Sequence, residues 1–270
     1  IFLVGLVCAF LAPTNVFAEK GKWSFTPYLG ANVATSRDMS KSQTSTAGSQ
    51  TFSDGSQFDG TLVVSTRNLS FDDTHDARIL TGFDVGYALT NTWEVFGGFQ
   101  YVTASGNKTG ALDVTAAGTF TNSAGTATAL AIGATADAEA DDYNSWAIKV
   151  GATKYFPMGD YTPYVGGYGG FKHVDEMDVT LTHSTAGAGS LKINFYDSTN
   201  TGFFGFHTGV NRGFSMGGTP LVLGVRARLD YTPELNDDDT DLGGSFGVDG
   251  SNNAGGGVDF GLTAQLSIPF

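Results

Sequence analysis

The chain has 270 residues and a formal net charge of −13, from 14 Lys and Arg against 27 Asp and Glu. That balance argues against nucleic acid as a partner, because such partners need a cationic footprint. Only 15% of residues are charged, 13% are aromatic and 38 are Gly. The aromatics recur periodically, which points away from disorder and toward an all-β protein with large turns.

Residues 1–18 stand apart. The apolar run FLVGLVCAFLA is followed by PTNVFA. It is too short to span a bilayer as a helix and predicts a secretory signal peptide cleaved after Ala18. A lipidated Cys8 is the competing reading, but Val7 stands where a small residue is wanted. Cleavage removes Cys8, the single cysteine, and so leaves no thiol or disulfide chemistry in residues 19–270. Ile1 in place of Met, with no basic residues before the apolar run, is expected of a truncated leader. No later stretch is apolar and long enough for a helical span. An exported chain of this kind is a soluble protein or an outer-membrane barrel, with residues 19–270 as one domain.

From Trp23 onward, eight stretches alternate apolar and polar residues, the period of a strand with one apolar face. WSFTPYLGANV sets Trp23, Phe25, Leu29 and Val33 against Ser24, Thr26, Tyr28 and Asn32. ARILTGFDVGYAL sets Ile79, Phe83, Val85 and Tyr87 against Arg78, Leu80, Gly82 and Asp84. WEVFGGFQYV sets Trp93, Val95, Phe99 and Tyr101 against Glu94, Phe96 and Gln100. NSWAIKVGATKYF sets Trp146, Ile148 and Val150 against Ala147, Lys149 and Thr153. YTPYVGGYGGF sets Tyr161, Val165 and Phe171 against Tyr164, Gly166 and Tyr168. GFFGFHTGVNR sets Phe204, Phe206 and Val210 against Phe203, Gly205 and His207. LVLGVRARLDY sets Leu221, Val225, Leu229 and Tyr231 against Arg226, Arg228 and Asp230. VDFGLTAQLSIPF sets Val258, Phe260, Leu262, Leu266, Ile268 and Phe270 against Asp259, Gly261, Thr263 and Gln265.

A soluble sandwich alternates too, with its apolar face inward. Here the polar faces are rich in Gly and small residues with isolated charges. Short connections (Thr90-Asn91-Thr92, PMGD, SMGGTP) also alternate with long ones, about 34–76, 102–142, 172–201 and 232–255. Short turns at one end and long loops at the other are the rhythm of an outer-membrane barrel. Aromatics gather at strand ends: Trp23, Trp93, Phe156, Tyr161 and Phe270 by the turns, and Tyr101, Trp146, Phe171, Phe204 and Tyr231 by the loops. Two such girdles are expected where rings meet headgroups.

GLTAQLSIPF at the end, TPYLGANV near the start and YTPYVGGYGG between them resemble the small OmpA/OmpX-like porin-family barrels of Gram-negative bacteria, over roughly residues 19–270. The resemblance implies an all-β, transmembrane, antiparallel up-and-down β-barrel with short periplasmic turns and long extracellular loops. Eight strands are expected. Ten or twelve is the alternative if GTLVVSTRNLSF, DVTAAGTFT, ATALAIGAT, MDVTLT and SLKINFY span as well, and do not merely extend the hairpins. The resemblance also implies that Phe260, Leu262, Leu266, Ile268 and Phe270 form a signal read by the barrel-assembly machinery. Outer-membrane lipid and lipopolysaccharide are the other expected partners; the loop ligand is not specified by the sequence.

The inward faces carry Asp84, Glu94, Lys149, His207, Arg226, Arg228 and Asp230, with Gln100 and Gln265. A lumen of eight strands is just wide enough for side chains to fill. These groups therefore read either as a hydrogen-bonded polar plug or as the constriction of a narrow channel, with space left by inward glycines. FDDTHDAR (Asp72, Asp73, His75, Asp76) and KHVDEMD (His173, Asp175, Glu176, Asp178) hold acid–base groups near the loop end, but neither spacing matches a catalytic pattern. Glu234, Asp237, Asp238, Asp239 and Asp241 form an acidic run that reads as solvated surface ahead of a calcium loop. No enzyme activity, cofactor or metal is expected. The expected role is structural or surface presentation: a barrel whose extracellular loops mediate adhesion or ligand contact. A narrow solute channel is the alternative, and a membrane-embedded hydrolase ranks below both.

Overall fold

Alternation with period two leaves each strand with one face it can bury and one it cannot, and closure into a cylinder resolves this for all strands together. The computed structural model describes residues 19–36, 38–40, 44–48, 50–51, 55–66, 69–183, 190–196, 198–233 and 257–270. The leader at 1–18 and the acidic run at 234–241 lie outside the described residues.

The barrel staves are β1 (Trp23–Thr35), β2 (Arg78–Thr90), β3 (Trp93–Ala104), β4 (Tyr143–Tyr155), β5 (Tyr161–Val174), β6 (Thr199–Met216), β7 (Thr219–Thr232) and β8 (Gly257–Pro269). Neighbours in sequence pair antiparallel, and β8 closes onto β1 through Tyr28↔Gln265, Leu29↔Ala264 and Ala31↔Leu262. The ring is a closed barrel of eight strands, so no barrel stave is left with a free edge. The turn between β6 and β7 is Gly217-Gly218 with φ of 60° and 82°, left-handed values that a tight hairpin needs and glycine supplies without strain.

Facing follows the alternation. Leu29, Val150 and Phe206 point outward and are 61%, 66% and 64% exposed, while Leu80, Lys149 and Arg228 are buried inside. Leu221 is a local exception: it lies on the outward side but is buried, paired across from Phe214.

The five weakly alternating stretches do not enter the barrel. Together with Thr44–Ala47 and Gln50–Thr51, their strands form a second, seven-stranded sheet above the loop end, except that Leu69–Ser70 pairs with Asp38–Ser40 in a separate two-stranded sheet and Phe71 opens a short helix. Its strands run in the order Ser190–Tyr196, Met177–His183, Ala127–Ala140, Lys108–Thr121, Gln57–Thr66 and Thr44–Ala47, with Gln50–Thr51 also on Gln57–Thr66. The sequence suggested separate hairpin extensions. Instead, segments from three different loops pair with one another, as in Thr61↔Ala117 and Ala138↔Leu181. This rim sheet satisfies backbone groups that long loops would otherwise leave to water.

Candidate functional site

The interior of the barrel brings charges from several staves together, and it is built in storeys. Nearest the loops, the one-turn helix Phe71–Thr74 drops Phe71 into the mouth. Phe71 packs with Leu80, Val102, Ala104, Tyr143, Val174 and Met177 in a buried apolar cluster. His75 stacks on Phe71 at 4.2 Å, and Tyr143 meets the Phe71 ring edge-on at 5.0 Å. This is a hydrophobic cap across the barrel mouth.

Directly beneath the cap, Arg78 Nη1 lies 2.8 Å from Asp259 Oδ1, and Lys172 Nζ lies 3.8 Å from Asp259 Oδ2. The Arg78 guanidinium also sits 4.8 Å from the centre of the Phe71 ring, tying cap to charge. One storey lower, Arg228 reaches Asp230 Oδ2 at 2.6 Å and donates to Asn32 at 3.2 Å and to Gln100. The Tyr168 hydroxyl on β5 reaches across Gly205 of β6 to donate to Asp230.

At mid-height Asp84 accepts two cations: Arg226 Nη1 at 2.7 Å and Lys149 Nζ at 3.0 Å. Lys149 lies among the rings of Tyr28, Tyr168 and Phe96, 4.8, 5.1 and 5.7 Å from their centres. Below this, His207 Nε2 is 3.0 Å from Thr153 Oγ1, and Gln265 donates to Asn211 at 2.9 Å. Buried charges with this many partners meet the condition that makes burial tolerable in a low-dielectric interior.

Two inward glycines that read as space are occupied. A Cβ on Gly205 would meet Asp230 Oδ1 and the Tyr168 ring at 2.6 Å, and one on Gly82 would meet the Tyr28 ring at 2.7 Å. Each of these two is the flat seat on which a large side chain from a neighbouring stave lies.

No protein-family model matches the chain, and no curated protein matches it. Solved structures do resemble it. Neisserial surface protein A is 13% identical over 93% of this chain and 98% of that one, with a TM-score of 0.37. Ail, the attachment invasion locus protein of Yersinia pestis, is 12% identical over 93% and 99%, with a TM-score of 0.36. OprG from Pseudomonas aeruginosa is 11% identical over 94% and 98%, with a TM-score of 0.36. The fold is that of a small OmpA/OmpX-like barrel, by the chain's own eight-strand closure.

Asp84, Lys149, Arg226, Arg228, Asp230 and His207 all lie buried inside this small barrel: Asp84 joins Lys149 and Arg226, Arg228 joins Asp230, and His207 contacts Thr153. Glu94 is inside as well but apart, nearer the turns. It accepts from Ser24 Oγ and the Tyr155 hydroxyl, each at 3.1 Å. Arg78, Lys172 and Asp259 complete the ion pairs and were not singled out by sequence, although Arg78 and Asp259 already stood on inward faces. Lys172 was readable as two residues past inward Gly170.

Trp23, Trp93, Phe156, Tyr161 and Phe270 stand exposed at the turn end, and Phe171, Phe204 and Tyr231 at the loop end. Tyr101 and Trp146 are half-buried against each other in register. Leu262 is exposed on the outer wall, while Phe260, Leu266 and Ile268 are half-buried there.

The two loop-end histidines are held in structure. His75 is buried; its Nδ1 is 2.9 Å from Thr74 Oγ1 and its Nε2 3.1 Å from the Asp141 carbonyl. It lies outside the barrel staves, and burial above all holds its pKa below the ordinary histidine value, with the Arg78 charge acting in the same direction. Carbonyl hydrogen bonds from Asp141 and Phe71 oppose that shift. Thr74, the hydroxyl beside it, is itself buried. His173 stacks on Trp146 at 5.3 Å and contacts Asn200 at 2.7 Å and Asp175 at 3.3 Å. Asp72, Asp73, Asp76 and Glu176 are exposed around the rim.

Proposed function

We propose that this chain is an outer-membrane barrel that does not conduct, and whose role is to hold the rim sheet outside the cell as a contact surface. The apolar outer wall, with aromatics at both ends, supports placement in a bilayer. A closed barrel satisfies every backbone group in lipid, which an open sheet does not. In this reading residues 1–18 export the chain and are removed. The turns face the periplasm, and lipid and lipopolysaccharide surround the wall. Presentation needs no catalysis, and none is assigned.

The observation that carries this reading is the cap of Phe71, Tyr143, Leu80 and Met177 lying directly on the Arg78–Asp259 pair. Among the described residues, an apolar lid on an ion-paired layer supports a lumen with no continuous polar route from loops to turns. Planar-bilayer recording tests it: the purified barrel is expected to give no unitary steps. Regular steps that disappear in Arg226→Ala/Arg228→Ala would overturn the reading in favour of a narrow solute channel.

By resemblance, the outward side of β8 and Phe270 serve as the mark read by the assembly machinery. Phe270 is 65% exposed, and its backbone exchanges hydrogen bonds of 2.9 and 3.1 Å with Trp23. Phe270→Ala is expected to slow insertion by the reconstituted machinery while leaving spontaneous folding into detergent unchanged. Equal slowing in both would show a structural role instead.

A further inference from the structure

Three of the interior carboxylates have a cation of their own. Asp84 has Lys149 and Arg226, Asp230 has Arg228, and Asp259 has Arg78 and Lys172. Glu94 differs: among the described residues it makes no ion pair and is held only by the hydroxyls of Ser24 and Tyr155. Arg226, the cation whose charge reaches it, is already engaged with Asp84.

Glu94 also stands beside an opening. A recess of about 130 Å³ enters the barrel at the turn end, lined by Glu94, Ser24, Tyr155, Asn211 and Ser267, with exposed Glu19 and Lys22 also on its wall. Lys22 makes no ion pair with Glu94 among the described residues. The recess therefore presents two carboxylates, Glu94 within and Glu19 at the exposed side, and three neutral side-chain oxygens besides the Tyr155 hydroxyl. From this geometry we infer that the turn-end recess is a binding site for a small primary ammonium ion, which pairs with Glu94.

The donor set selects that class. A primary ammonium offers three N–H donors on one charge. Both Glu94 oxygens keep lone pairs beyond their single hydroxyl contacts, and Ser24, Ser267 and Asn211 each keep acceptor capacity next to them. A calcium ion wants six to eight oxygens and usually several carboxylates; among the described residues no group of three or more His, Cys, Asp or Glu gathers to hold a metal, here or elsewhere. An anion would meet Glu94 head-on. The ammonium can come from a free amine in the periplasm or from an ethanolamine lipid headgroup, since the recess opens at the level of exposed Trp23 and Phe270.

The test uses the whole barrel in phosphatidylcholine nanodiscs, with NMR signals of Ser24, Glu94 and Tyr155 followed during titration with ethylammonium chloride. Saturable shifts confined to these residues are expected, and matched sodium chloride is expected to leave them in place. Glu94→Gln is expected to weaken the response about tenfold, the loss typical of a hydrogen bond to a charged group. If that variant does not assemble, Tyr155→Phe keeps the ring and the carboxylate and is expected to weaken the response by a smaller factor. In discs containing phosphatidylethanolamine, the same residues shifted before any amine is added identify the headgroup as the source; unshifted signals that still respond to ethylammonium identify the free amine. No saturable shift, an equal shift in Glu94→Gln, or an equal shift with sodium would overturn the inference. None of these outcomes depends on whether the lumen conducts.

Discussion

Arg226 on β7 crosses the lumen to Asp84 on β2, with Nη1 2.7 Å from Oδ2, although 142 residues separate them in sequence. Lys149, from β4, takes the other oxygen of the same carboxylate. Asp84 is therefore the joint at which three staves meet. Asp84→Ala strands two buried cations and is expected to destabilise the barrel by about 3–5 kcal/mol. Arg226→Ala leaves Asp84 with Lys149 and is expected to be milder. Urea unfolding in lipid vesicles measures both, and the reverse ranking would show that Asp84 is not the shared partner.

The cap gives a second expectation. Phe71→Ala removes a buried ring from the barrel mouth and is expected to be destabilising by about 3–5 kcal/mol. Hydrogen exchange should report the loss first at 71–75 and around Tyr143, ahead of the staves below. Uniform exchange across the barrel would mean that the cap and the ion-paired storeys open together.

His75 makes the cap sensitive to pH. Its folded pKa is lowered, so below the ordinary value of about 6.5 the unfolded segment binds a proton more readily than the folded one. Cap stability is therefore full above that value, falls as the pH drops through it, and levels off once the folded pKa is passed. Hydrogen exchange at Phe71, Thr74 and Tyr143 should quicken on acidification, and His75→Gln should remove that dependence. An unchanged profile in His75→Gln would assign it to other groups.

Outward facing is testable on one strand. Leu262 is exposed midway along β8, between Ala31 and Ala227 of its neighbours, and Val258 is exposed near the loop end. Leu262→Lys is expected to cost roughly 2–4 kcal/mol and Val258→Lys about 0–1, because a charge is tolerated increasingly well toward the interface. Equal costs in folding titrations would argue against a bilayer centred near Leu262.

The barrel was legible in the sequence because its signal is local. Strict alternation, as in Trp23 to Val33 or Val258 to Phe270, assigns facing without knowledge of any partner. The rhythm of turns then assigns neighbours. The contents of the lumen were half legible. Alternation placed Asp84, Arg226 and Arg228 inside, but which carboxylate meets which cation depends on the stagger between staves that are not adjacent, and no local pattern records it. The inward glycines misled for a related reason: alternation gives facing but not which way a neighbouring side chain leans. Gly205 reads as empty space until Tyr168, its register partner on the adjacent stave β5, is seen lying over it. The rim sheet was least legible: Thr61 meets Ala117 across two different loops, and weak alternation rich in Thr and Ala says nothing of such a partner.

Because the rim is woven from three loops at once, no one of them can drift on its own. Adding a single residue inside Lys108–Thr121 would turn its side chains over relative to both Gln57–Thr66 and Ala127–Ala140, the strands on either side of it. Length changes are absorbed only where the chain leaves the weave, as at the Asn122–Thr126 bend, where the Asn122 side chain caps Ala124 and Thr126. Related chains under pressure to alter their outer face should thus diverge by substitution across the sheet and by insertion at its bends, keeping a fixed frame beneath a changing surface.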